Sequence, residues 1–220
     1  MAKVNEVTKS KLLIVEGTQD LIFFTTWISL LNRSDQIQVM QMEGKSNLPA
    51  QLKGLAKQSA FIRGEVQTLV VVRDADQFPD GAFQSVCGAL EKAGLAKPRQ
   101  PYAFAEGAHP RTAVMIIPAS DQPGAIEELV IQTIQDDPIL PDVREFIQQA
   151  VDKLPQPDPN VHPKYKHFGP PQHRHGKAQV HAFLATFDQP DRNLGVAARA
   201  GVWNFNHPAL GEIQRMLEEM

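Results

Sequence analysis

The sequence predicts an α/β fold: a central, mostly parallel four-stranded sheet flanked by helices, followed by a C-terminal helical extension. Three observations carry that prediction. Short apolar runs alternate with helical patterns through the first two-thirds of the chain, and such alternation implies βαβ crossovers and a parallel sheet. Thr68–Val72 (TLVVV) is β-branched and apolar on both faces, the mark of a strand buried in the middle of a parallel sheet. After Pro138 the strand signals stop, and only amphipathic helical patterns and an irregular stretch remain.

Each element has its own warrant. Lys11–Val15 (KLLIV) is brief, apolar and followed at once by Glu16-Gly17, which reads as a buried strand. Thr18 suits the N-cap of a helix on which Phe24, Trp27, Ile28 and Leu31 share one face. Ile37–Met42 alternates as a second strand does. Asn47 then caps a helix running to about Gln58, with Pro49 in its first turn. Beyond the third strand at Thr68–Val72, a helix is expected from Gly81 to Ala93, ended by Gly94. Ala113–Ile117 (AVMII) is the fourth strand, and Ala125–Ile134 returns to helix. Helical patterns then cover Asp142–Leu154, Lys177–Phe187, Arg192–Ala200 and Pro208–Met220.

A chain of 220 residues, 42% hydrophobic, can bury a core without disulfide or metal staples. The division expected is an α/β domain over residues 9–137 and a helical extension over 138–220. That extension contains a Pro/His-rich basic loop at about 155–176, holding six of the 17 prolines. The single cysteine, Cys87, excludes an intrachain disulfide and lies in an apolar helical pattern, as an inert core thiol would. With 22 basic and 25 acidic residues the net charge is −3, so any contact with nucleic acid must rest on a local patch. The Leu21–Leu31 stretch is broken by Thr25, Thr26 and Ser29, so no membrane partner is expected. MAKVNEVTKS lacks the apolar centre of a signal peptide, and the expected location is cytoplasmic.

The acids carry the chemistry. In an open parallel sheet, ligands sit beyond the carboxyl ends of the strands. Glu16 directly follows the first strand, and Asp74 and Asp76 directly follow the third. Side chains two apart on an extended segment point the same way, so the two aspartates can present their oxygens together. Neighbouring carboxylates repel unless they are protonated or bridged by a cation. A hard divalent ion such as Mg²⁺ takes oxygen ligands of this kind and keeps positions open for phosphate. The plainer alternative is that each acid caps the next helix or sits in solvent.

These residues resemble the Toprim domain, the catalytic module of topoisomerases, primases and OLD-family nucleases. Leu13-Ile14-Val15-Glu16-Gly17 and Leu69-Val70-Val71-Val72-Arg73-Asp74-Ala75-Asp76 match its two hallmarks in order and separation, over about residues 9–135. Gly44-Lys45-Ser46-Asn47, Gly124–Leu129 and Gly201–Phe205 are similar to features of a family of small Toprim-related proteins. The resemblance implies a Toprim-like, Rossmannoid α/β fold, a cofactor of Mg²⁺ or Mn²⁺, and nucleic acid as partner. Glu16 would be a metal ligand or general acid/base, Asp74 and Asp76 would bind the ion, and Glu127 could complete a second metal site. The departures matter as well. Only Tyr102 and Tyr165 are present, neither in a recognisable cleavage domain, and no phosphate-binding ATPase loop occurs. That pattern fits a Mg²⁺-dependent nuclease or related phosphoryl-transfer enzyme better than strand passage or synthesis. The alternative is a non-catalytic Toprim-fold binding or regulatory module.

Several further residues have two readings. Asp20 falls in the first turn of the first helix, where an acid is favoured by the helix dipole; its other reading is a substrate-binding residue. Lys45, after the second strand, and Arg73, beside Asp74, could each meet a phosphate. Lys45 could equally be an exposed turn lysine, and Arg73 could pair with a neighbouring acid. Val161–Lys177 carries Lys164, Lys166, Arg174 and Lys177 and no acid, interleaved with Tyr165 and Phe168. Such a segment could hold a nucleic-acid backbone and stack a base, or serve as a proline-stiffened linker. Lys177 is the cation of the extension best placed for catalytic or phosphate-binding work. The spacing of His162, His167, His173 and His175 matches no zinc module. Trp203 and Phe205 are expected to pack the last helices on the sheet.

Overall fold

Four strands, β1 (Lys11–Val15), β2 (Ile37–Gln41), β3 (Thr68–Asp74) and β4 (Arg111–Ile117), pair in parallel in the order β2–β1–β3–β4. The computed structural model describes residues 6–42, 45–153 and 173–220. The register is continuous: Lys11 lies opposite Ile37 on one side and Thr68 on the other, and Thr68 opposite Arg111.

Strand alternation divides the core in two. Leu13, Val15, Val70, Val72, Ala113, Met115 and Ile117 face one side. Leu12, Ile14, Leu69, Val71, Val114 and Ile116 face the other. The first face is covered by α1 (Thr18–Leu30), α5 (Ile126–Gln132) and the C-terminal helices. The second is covered by α2 (Leu48–Leu55) and α4 (Pro79–Lys92). The short α3 (Ser59–Ile62) leads into β3.

The C-terminal elements are α6 (Leu140–Asp152), α7 (His173–Leu184), α8 (Leu194–Arg199) and α9 (Gly211–Glu219). Buried residues of these helices and of the segment joining α8 to α9, Phe183, Trp203, Phe205, Ile213 and Met216 among them, belong to the same apolar cluster as the first sheet face. Phe205 lies against Phe23 and Trp27 of α1, at ring-centroid distances of 5.1 and 5.4 Å. Trp203 and Phe205 thus pack as expected, and Cys87 is a buried residue of α4 itself. Among the described residues, no helix is long and apolar enough to cross a membrane.

Local structure departs from expectation in several places, among them the starts of α4 at Pro79, of β4 at Arg111 and of α6 at Leu140. The N-cap of α1 is Gly17, extended at φ −131° and ψ 176°, rather than Thr18. The helix expected from Asn47 to Gln58 ends at Leu55, a separate short helix follows at Ser59–Ile62, and the Asn47 side chain makes no cap bond to α2. Strand β3 runs two residues past Val72, so Arg73 and Asp74 belong to it. Helix α7 starts at His173, which places Lys177 in its second turn rather than at its start.

Candidate functional site

Strand order reverses between β1 and β3. The chain leaving β1 enters α1 on one face of the sheet, and the chain leaving β3 enters α4 on the other. A crevice opens at the carboxyl ends of two strands whose connections diverge in this way. Glu16, Arg73, Asp74 and Asp76 line that rim.

Register decides which of them meet. Ile14 lies opposite Val71, so two residues further on Glu16 comes beside Arg73, on the same face. The guanidinium Nη1 donates to Glu16 Oε2 at 2.8 Å, with both side chains largely buried. Its Nη2 reaches Asp76 Oδ2 at 3.4 Å, where Asp76 is about half exposed at 49%. Arg73 is therefore an internal counter-ion to two of the rim acids. Asp74, opposite Ile117 in the register, is sent by strand alternation to the other face, that of α1 and α5.

The premise that Asp74 and Asp76 lie on one extended segment does not hold. Asp76 has φ +52°, in the left-handed region, and such a residue reverses the chain rather than continuing the pleat. The turn is pinned by a reciprocal pair of bonds, Asp76 N–H to Gly124 carbonyl at 2.9 Å and Gly124 N–H to Asp76 carbonyl at 2.7 Å. Ala75 N–H also donates to the Ile117 carbonyl at 2.8 Å.

Two helices begin at this rim, and each is closed by its own acid. Asp20 Oδ2 accepts from the Gly17 N–H at 2.7 Å, and Glu128 Oε2 from the Ala125 N–H at 2.8 Å. An acid three residues inside a helix commonly takes the free N–H of the N-cap residue in this way. Burial pushes the Asp20 carboxyl up to about 6, against the bond from Gly17; the charges of Glu16 and Glu127 push the same way, and Lys177 pulls back. Burial likewise raises Glu128 to about 6. Glu127, in the first turn of α5, and Lys177 from α7 thus both act on Asp20 through their charge. Glu128 turns instead toward α7: a Cβ on Gly176 would lie 2.0 Å from its Oε1, so glycine is what lets the two helices approach there.

These raised values carry a pH signature. The folded state holds the Asp20 and Glu128 protons more tightly than the unfolded chain does, so stability falls as pH rises from about 4 to about 6. Asp20→Asn, which keeps an oxygen for the Gly17 N–H, is expected to flatten that decline. At neutral pH it should gain on the order of 2 kcal/mol over the wild type. Urea unfolding at intervals across this range tests it, and parallel profiles for the two proteins would refute it.

The remaining sequence candidates are placed as follows. The backbone of Lys45 lies in a 3₁₀ turn, Lys45–Asn47, that leads into α2. Arg174 belongs to the first turn of α7. Lys164 and Lys166 lie outside the described residues, as does most of the expected basic loop. Glu128 is not among the sequence candidates: Ala125, in the N-cap place, lacks the side-chain acceptor that makes a capping box readable from sequence. Nor is Phe78, which stands immediately before α4.

Fold and rim together define an open parallel-sheet α/β protein with charged residues at its switch point. The chain belongs to the family described as Protein of unknown function (DUF3226), whose model matches residues 10–220. Among curated proteins, none matches the sequence. Similar solved structures include the C-terminal region of the Xanthomonas campestris pv. campestris OLD protein. The platinum-phased form is 12% identical, with a TM-score of 0.46 over 96% of this chain and 91% of that one. The iodine-phased form is 11% identical, with a TM-score of 0.46 over 96% and 95%.

Proposed function

We propose that the rim is a phosphoryl-transfer site acting on nucleic acid, with phosphodiester hydrolysis as its reaction. The observation that supports this best is the charge assembly around Asp20. Asp20 in α1 lies within the fields of carboxylates from two other segments, Glu16 after β1 and Glu127 in α5, with Lys177 opposing them. Acids kept together against their repulsion destabilise the fold, and such costs collect at functional sites. A carboxyl at about 6 can accept and return a proton near neutral pH, as general acid–base chemistry on a water or leaving oxygen requires. Lys177 would supply positive charge to a phosphate arriving at the same rim. The motif pair Glu16-Gly17 and Asp74-x-Asp76, in its Toprim-like order, supports nucleic acid as the substrate class.

The resemblance also implies Mg²⁺ or Mn²⁺. Among the described residues, no group of three His, Cys, Asp or Glu side chains could hold an ion, and Glu16 and Asp76 are bound to Arg73. As arranged, these side chains do not fit a divalent ion. That same arrangement favours a second reading, a nucleic-acid-binding module without catalysis, in which Arg73 neutralises the acids that an enzyme would leave open.

One experiment separates the two. Purified protein is incubated with labelled DNA and RNA, single- and double-stranded, with Mg²⁺, with Mn²⁺ and with chelator. Cleavage that drops about 10²-fold or more in Glu16→Ala and Asp20→Ala is the expected result, since removing an acid–base group costs that much. Binding without cleavage under every condition would establish the module instead. Cleavage that persists in both variants would move the site elsewhere.

A further inference from the structure

Phe78 follows Asp76 by two residues, and the residue is 72% exposed. A lone exposed phenylalanine needs no explanation in itself; its position does. Phe78 is the N-cap of α4, with Pro79 behind it, and it offers the helix no side-chain cap. Serine, threonine, aspartate or asparagine would accept a bond from the first turn there. Neither the core nor the helix uses the ring.

The backbone that carries it is nevertheless fixed. Phe78 N–H donates to the Ala75 carbonyl at 3.1 Å, and the Phe78 carbonyl accepts from Ala82 N–H at 2.9 Å. Ala75 and Asp76 are in turn bonded to Ile117 and Gly124. An apolar, planar side chain is thus held in solvent on a rigid turn, two Cα steps of about 3.8 Å from a rim acid. A group fixed before binding loses little freedom when a ligand arrives.

We propose that Phe78 stacks an unpaired nucleobase and makes the rim select single-stranded nucleic acid. The inference rests on the phosphoryl-transfer site proposed above and names its substrate class. A phosphate held at the Asp76 end of the rim would stand two residues along the chain from Phe78, close enough for its base to reach the ring. Aromatic stacking accepts any base, because every base has a flat face. A duplex keeps its bases stacked on one another and offers none to the ring.

The test is binding, followed by fluorescence anisotropy in chelator, of a short labelled single strand and of the same strand annealed to its complement. The wild type is expected to favour the single strand. Phe78→Ser should bind it about tenfold more weakly, leave duplex binding unchanged, and melt no lower than the wild type, because serine restores a cap. Phe78→Trp should keep the affinity, and its exposed indole should be quenched on binding. Equal single-strand affinity in Phe78→Ser and wild type would overturn the stacking role and leave the proposed site standing. Equal wild-type affinity for strand and duplex would overturn the selectivity. Binding of neither strand by the wild type would overturn the site as well.

Discussion

Replacing Arg73 with glutamine is expected to cost about 2–3 kcal/mol of stability, a fall in Tm of roughly 4–12 °C for a chain of this size. Arg73 and Glu16 are largely buried, at 12% and 17% exposed, and joined at 2.8 Å. Removing one partner of a buried pair leaves the other charge to be solvated poorly, which is where the large values arise. The contact to Asp76 adds little, being longer and half exposed. The double variant Arg73→Gln/Glu16→Gln removes both charges and is expected to recover most of the loss, giving a coupling of about 1–3 kcal/mol. A single variant that melts with the wild type, or a double no better than the single, would show that the ion pair does not hold the rim together. The same protein addresses the cation question. A divalent ion would compete with Arg73 for the same oxygens, so Mn²⁺ is expected to raise the Tm of Arg73→Gln more than that of the wild type.

Much of the fold was legible because its core strands are short and uniformly apolar. Lys11–Val15 has the bounds read from sequence, and the buried residues Phe24, Trp27 and Ile28 of α1 lie on the face their spacing predicts. Legibility failed where polar residues continue a regular element. Arg73 and Asp74 extend β3 beyond its apolar run, because their polar ends emerge at the rim while their backbones stay paired with Ile116 and Ile117. Composition cannot register that pairing. The Glu16–Arg73 contact was hidden for a related reason: it depends on β1 and β3 pairing with an offset of 57 residues, and strand register is not written in either strand. The site was legible as a set of acids after strands, but not as an arrangement. One left-handed residue, Asp76, separates its oxygens from those of Asp74 in a way no alternation rule anticipates. Phe78 carried no signal, because its place depends on where α4 begins.

Replacing Gly195 with valine is expected to destabilise the chain by about 3 kcal/mol or more, which is roughly 6–12 °C in Tm. Gly195 is the second residue of α8, buried where that helix crosses α1. A Cβ there would lie 2.8 Å from Ile22 Cβ and 2.9 Å from the Gln19 carbonyl oxygen. Neither atom is the end of a flexible side chain, so the helices themselves must part. Parting them also breaks the bond by which Gln19 Oε1 accepts from the Gly195 N–H at 3.0 Å, capping the first turn of α8 from α1. The damage should spread through Trp203, whose indole N–H donates to the Leu194 carbonyl at 2.9 Å, next to the substituted residue. Tryptophan emission is therefore expected to shift to the red in Gly195→Val before global unfolding. Gly88→Ala is the control. It lies inside α4, and a Cβ there would meet nothing within 4 Å, so alanine should gain about 0.5–1 kcal/mol through helix propensity alone. If the two substitutions change stability alike, the close approach of α1 and α8 is not what fixes glycine at 195. If only Gly195→Val falls, that approach is what holds the C-terminal helices against the face of the sheet from which Asp20 meets the rim.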